Sequence, residues 1–150
     1  MKRLVAILAA IALAAAVVRF FLKGLLAPIG VPTVIGTFLA SITIVLLVGT
    51  VLIFRREARD SDGRFIRGAG WTVLLSAWCQ ALIIGGILLT EAFHADTYYN
   101  GPWAMVQERF PTVTAHVIGH TQGFFFLTAI LLIIGGIVYA IVRRKRIVAV

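Results

Sequence analysis

Residues 42–54 read Ile-Thr-Ile-Val-Leu-Leu-Val-Gly-Thr-Val-Leu-Ile-Phe, and residues 55–59 read Arg-Arg-Glu-Ala-Arg. Only Thr43, Gly49 and Thr50 interrupt the apolar run, and it stops at a pair of arginines. A half-buried strand would alternate polar and apolar side chains, and this stretch does not. A chain crossing lipid must satisfy its backbone internally, which leaves helices and closed barrels, and the missing alternation selects the helix.

Working outward, the same pattern recurs. A spanning helix needs about 20 apolar residues for a hydrocarbon core about 30 Å thick. Four runs of that kind are expected, at about residues 4–22, 33–54, 71–90 and 117–142. The expected fold is an all-α integral membrane protein: one domain over residues 1–150, with four transmembrane helices in an antiparallel bundle. The composition agrees, with 61% hydrophobic residues, 13% charged residues and a mean hydropathy of +1.02. An ordinary soluble domain is about 45–50% apolar and about 25% charged, so a water-soluble globule is excluded. Disorder is excluded by the hydrophobicity, and a disulfide-stapled scaffold by Cys79 being the single cysteine.

The connections have the opposite character. Residues 24–32 hold two glycines and two prolines, a tight turn in which Pro28 and Pro32 oppose helix continuation. Residues 55–70 carry five arginines with Glu57, Asp60 and Asp62, and an Asp-Gly turn signal at Asp62–Gly63, so this connection is expected in water. Residues 91–116 form the longest connection, expected as an outer loop rich in polar and aromatic side chains. Of the fourteen basic residues, eleven fall at the two termini or in the 55–70 connection. The positive-inside rule therefore predicts cytoplasmic N- and C-termini in a plasma membrane. Residues 12–14, Ala-Leu-Ala, resemble a signal-peptide cleavage site, but the apolar run continues through Phe20 and Phe21, which favours an uncleaved segment. The net charge of +8 and the Arg-Arg-Lys-Arg run at 143–146 are read as juxtamembrane orientation signals, with no nucleic-acid partner.

Small residues mark packing faces. Ile-Ile-Gly-Gly-Ile occurs at 83–87 and again at 133–137, while Ala115, Gly119 and Gly123 share one helix face. Gln80 lies mid-span, where an amide needs a partner, and Thr43 and Thr128 are the candidates. Arg19 lies near the outer surface, with Glu91 as its candidate acidic partner.

Polar chemistry concentrates at the outer end. His116 and His120 are four apart on one helix face, and Glu91 and His94 are three apart. Together they make a candidate metal or haem site of three imidazoles and a carboxylate, with Asp96 and Glu108 available to orient the ligands. Such a mixed set suits zinc, iron or copper better than calcium or magnesium. Ordinary interfacial structure also explains histidines and aromatics at this depth. No protease, phosphate-loop, dinucleotide or hydrolase-elbow motif occurs.

The expected function is that of a small non-catalytic accessory or interaction subunit. It would contact the lipid bilayer and other membrane subunits, or copies of itself, without a cofactor. The alternative is a redox protein holding a metal or haem b at the outer cluster. An oligomeric transporter component is the third reading.

Overall fold

The computed structural model describes the backbone of residues 1–26, 31–98 and 112–148, and side chains at 1–19, 38–89 and 112–145. Four helices follow in order: α1 (Lys2–Leu26), α2 (Val31–Arg59), α3 (Phe65–Tyr98) and α4 (Val113–Val148). Helices α2 and α3 each pack against all the others, with α1 and α4 flanking them.

The expectation of four transmembrane helices is corrected in number. Among the described residues, three stretches are long and apolar enough to cross a membrane: Phe38–Arg59, Phe65–Leu89 and Val113–Lys145, with mean hydropathies of 2.3, 2.0 and 2.7. Helix α1 is not among them. Arg19 interrupts its apolar run, and Lys2 and Arg3 close the other end. The uninterrupted stretch, residues 4–18, rises only about 22 Å at ~1.5 Å per residue, short of the ~30 Å hydrocarbon core. Its inward face still joins the core through Val5, Leu8 and Ala12, all buried.

Local chemistry explains the helix ends. Asp60 closes the α2–α3 turn: its carbonyl accepts from the Gly63 amide at 3.2 Å and its carboxylate from the Asp62 amide at 3.2 Å. A Cβ at Gly63 would collide with the Glu57 carbonyl, so only glycine fits this close approach. The Glu57 carboxylate then accepts from the Arg64 amide at 3.3 Å, satisfying a backbone donor at the start of α3. At the start of α4 the Thr112 hydroxyl accepts from the Ala115 amide at 3.1 Å, an N-cap.

Two readings of the connections change. Glu57 is not in water but only 3% exposed, because α2 continues helically to Arg59 and carries it onto the inward face. Helix α3 continues to Tyr98, taking Glu91, His94 and Asp96 onto helical backbone beyond the apolar run.

The helices are held in clear register. Gly49 sits against Leu75 and Leu8, and Glu57 pairs with Arg67 at 3.8 Å, so α2 runs antiparallel to α3. Trp78 donates its indole N–H to the Ala9 carbonyl at 3.1 Å, and Arg19 lies beside Gly86, so α1 runs parallel to α3. Gly136 packs on Phe65, while Gly119 and His120 share a cavity with Gln80 and Ile83, so α4 is antiparallel to α3.

Candidate functional site at the paired histidines

The Thr112 cap starts α4 so that His116 and His120 fall one turn apart on its inward face. His116 is only 6% exposed, and His120 is half-buried. Their Nε2 atoms are 3.2 Å apart, and the ring planes meet at 39°. Either one imidazole donates to the other, or both present lone pairs to one small cation, according to tautomer.

Below the pair, α2, α3 and α4 line a partly open cavity of about 250 Å³ whose polar lining comes from Thr43, Ser76, Cys79, Gln80 and His120. Gly119 and Gly123 form its α4 wall. No heavy atom lies within 4 Å of where a Gly123 Cβ would stand, so at this position the small-residue row borders open space, not a neighbouring helix. Close helix approach occurs instead at Gly135, where a Cβ would overlap the Phe54 ring. The two Ile-Ile-Gly-Gly-Ile copies thus differ: Gly85 faces open space and Gly135 a buried phenylalanine.

Positive charge approaches from α1. The Arg19 guanidinium carbon lies 5.0 Å from the Phe38 ring centroid, a cation–π contact, and is within electrostatic range of both imidazoles. The side chain of Glu91, expected as its partner, lies outside the described residues, as do those of His94 and Asp96 and the whole of Glu108. Of the anticipated cluster, the described residues bring together His116 and His120, with Gln80 lining the same cavity as His120. Among the described residues, no three of His, Cys, Asp and Glu converge.

The expected hydrogen bond from Gln80 to Thr43 or Thr128 is not made. Thr43 donates instead to the Leu39 carbonyl of its own helix at 2.8 Å. Gln80 Nε2 and the hydroxyls of Thr50, Thr72, Ser76 and Thr128 are buried without a protein partner. An unsatisfied buried polar group costs about 1–3 kcal/mol, and bound water is the usual remedy where a polar site has room.

Sequence reasoning missed Thr50, Glu57, Thr72 and Ser76. A signal was present. Thr43, Thr50 and Glu57 are seven apart on α2, while Thr72, Ser76 and Gln80 are four apart on α3, so each trio shares one helix face. Compared with known protein families, characterised proteins and solved structures, the chain matches none.

Proposed function

We propose that this multi-pass membrane protein holds a first-row transition-metal ion at the outer end of its bundle, through Nε2 of His116 and His120. The observation that carries the reading is the 3.2 Å separation of two inward-facing imidazole nitrogens. With metal–nitrogen bonds of about 2.0–2.1 Å, that separation subtends roughly 103° at the ion, close to tetrahedral. Neutral imidazole suits zinc, copper, iron and nickel. Glu91 and His94, further along α3, are the proposed additional ligands, and Asp96 and Glu108 the acceptors that fix ring orientation. Arg19 favours an ion that also carries an anionic ligand, whose charge the guanidinium balances.

A haem has less support. The 250 Å³ cavity is below the ~300–1,000 Å³ that encloses a drug-sized ligand, and His94 of α3, which would have to join an α4 histidine as the second axial ligand, has its side chain outside the described residues. An accessory role has no described residue that carries it, whereas the metal reading has two. Orientation follows charge: Arg55, Arg56, Arg59, Arg64, Arg67 and Arg143 lie at one end of the bundle, and α1 running parallel to α3 brings Lys2 and Arg3 to that end. We assign it to the cytoplasmic side of the plasma membrane.

The test uses full-length protein purified in detergent and stripped with EDTA, then titrated with Co²⁺ and Zn²⁺. One equivalent should bind, with Co²⁺ developing the visible d–d bands of a nitrogen-ligated site. His116→Ala and His120→Ala should each weaken binding by about tenfold or more, as loss of a metal-site residue does. No stoichiometric binding, or equal binding by the double variant, overturns the reading.

A further inference from the structure

Two of the apolar spans end side by side. Helices α2 and α4 run parallel, since each is antiparallel to α3. The last residues of their spans, Arg59 and Lys145, line one open groove of about 570 Å³ together with Arg55, Ile141 and Val142. Arg55 and Arg59 are one turn apart on α2, and Ile141 and Lys145 one turn apart on α4, so each helix contributes one face. A groove of that size falls within the ~300–1,000 Å³ of small-molecule sites. Its walls are fixed from both sides. Two turns inward of Val142 the Phe54 ring fills the space at Gly135, and at the helix ends Arg143 donates to the Asp60 carbonyl at 3.0 Å.

The lining consists of three cations and two aliphatic side chains, and no carboxylate among the described residues shares it. Glu57, next to these arginines in sequence, is turned inward to the Arg64 amide and Arg67, while the Asp60 carboxylate takes the Asp62 amide. Like charges around one groove repel more strongly as the local dielectric falls, so an anion seated between them relieves the repulsion. Arg55 lies about 6 Å inside Arg59 at ~1.5 Å per residue, which puts this charge where headgroups meet hydrocarbon. Inward of the cations both faces turn aliphatic. On α2, Val51 and Val48 follow Arg55 at steps of four and three, and on α4, Ile137 and Ile130 follow Ile141 at steps of four and seven. All four are exposed. Cations at the rim and aliphatic faces below them match a phospholipid, with phosphate at the helix ends and acyl chains along α2 and α4.

We infer that this groove binds one molecule of a diphosphatidylglycerol, a phospholipid with two phosphodiesters on a shared glycerol, from the leaflet at the basic end. Arg55 and Arg59 each offer a planar fork that fits two phosphate oxygens, and Lys145 adds a point charge from the facing helix. A single phosphodiester would bring one negative charge to three cations, whereas two phosphodiesters bring the groove close to neutrality. A free phosphate would leave Ile141, Val142 and the aliphatic faces below them without an apolar partner. Basic pockets between membrane helices are suited to lipid headgroups of this kind. The groove lies at the opposite end of the bundle from His116 and His120, so the inference does not depend on a metal there.

The test uses the full chain purified in detergent, exchanged into phosphatidylcholine, and followed by native mass spectrometry as tetraoleoyl diphosphatidylglycerol is added. One molecule should be retained per chain, about tenfold or more tightly than dioleoyl phosphatidylglycerol at equal phosphate concentration, because the second phosphodiester binds intramolecularly. The triple variant Arg55→Gln, Arg59→Gln, Lys145→Gln should weaken retention by about tenfold or more. A second triple variant, Lys2→Gln, Arg3→Gln, Arg144→Gln, removes the same charge from the same end but outside the groove, and should retain the lipid as the parent does. General attraction to a basic surface depends on the number of cations and would weaken both variants alike. Lys145→Gln alone, with a loss of about threefold or more, carries the test if the first triple variant fails to fold. Inorganic phosphate in excess should not displace the lipid. Absence of a retained molecule, equal losses in the two triple variants, equal retention of phosphatidylglycerol, or full displacement by phosphate each overturns the inference.

Discussion

The two ends of the bundle are built differently. At the basic end, Tyr139 donates to the Gly63 carbonyl at 3.2 Å, Arg143 to the Asp60 carbonyl at 3.0 Å, and Glu57 holds the start of α3. Phe54, fully buried, meets the Phe65 ring at a centroid distance of 5.3 Å and a tilt of 42°, and presses against Gly68 and Gly135. Side chains from α4 thus fasten the α2–α3 turn. The histidine end has instead a cavity, glycines facing open space and polar atoms without protein partners. Tight packing and closed hydrogen bonds give stability, whereas a site that takes up ions or water needs room and unspent polar groups. The basic end is thus the tightly fastened one, and the histidine end the open one.

The sharpest way to break that contrast is Gly135→Ala. The new methyl would overlap the Phe54 ring, which has no free volume to enter, so a loss of about 3 kcal/mol is expected from overpacking. Thermal unfolding in detergent, followed by circular dichroism, measures it. A neutral result would mean that the basic end is not the rigid one.

Glu57→Ala is expected to cost about 2 kcal/mol, because it strips the Arg64 amide of its acceptor and Arg67 of its carboxylate. Arg67 is 46% exposed and can turn to water, so the loss stays below that of a fully buried ion pair. Glu57→Gln, which retains an acceptor oxygen, should recover part of the loss in the same unfolding assay.

Tyr139→Phe removes one hydrogen bond and keeps the ring against Phe65, so about 1 kcal/mol is expected. Hydrogen exchange should report it locally, as faster exchange of amides around the α2–α3 turn with little change near His116.

The smallest effect belongs to the other end. Gly123→Ala adds a methyl where nothing lies within 4 Å, and alanine favours a helix over glycine, so stability should stay within about 0.5 kcal/mol of the parent. Set against Gly135→Ala on the same helix, it measures the difference in packing directly. Equal losses at the two glycines would remove the contrast.

Much of the fold was legible. The arginines after Phe54 end an apolar run, and the helix follows from lipid chemistry without tertiary information. Arg19 shows where a run-length reading goes astray: one charge inside an apolar stretch shortens the uninterrupted span, and among the described residues the first helix no longer qualifies as a membrane crossing. At the candidate site, the spacing of His116 and His120 predicted a shared face, and they do share one. Glu57 was misread because a carboxylate among arginines resembles an aqueous loop in one dimension. Only the continuation of α2 turns it inward.

By itself, the sequence determined that this chain is helical and embedded in lipid, which charged segment separates α2 from α3, and which side chains are one turn apart. Those properties depend on composition and on distances along the chain. Tertiary structure alone decided that Thr50, Thr72, Ser76, Gln80 and Thr128 lie buried without partners, that Glu57 shares their interior, and that Gly135 is filled while Gly123 is not. Lipid accepts almost any apolar helix face, so local sequence cannot say which face turns inward. That choice is made by how side chains from different helices fit, such as Phe54 against Gly135 and Leu8 against Gly49.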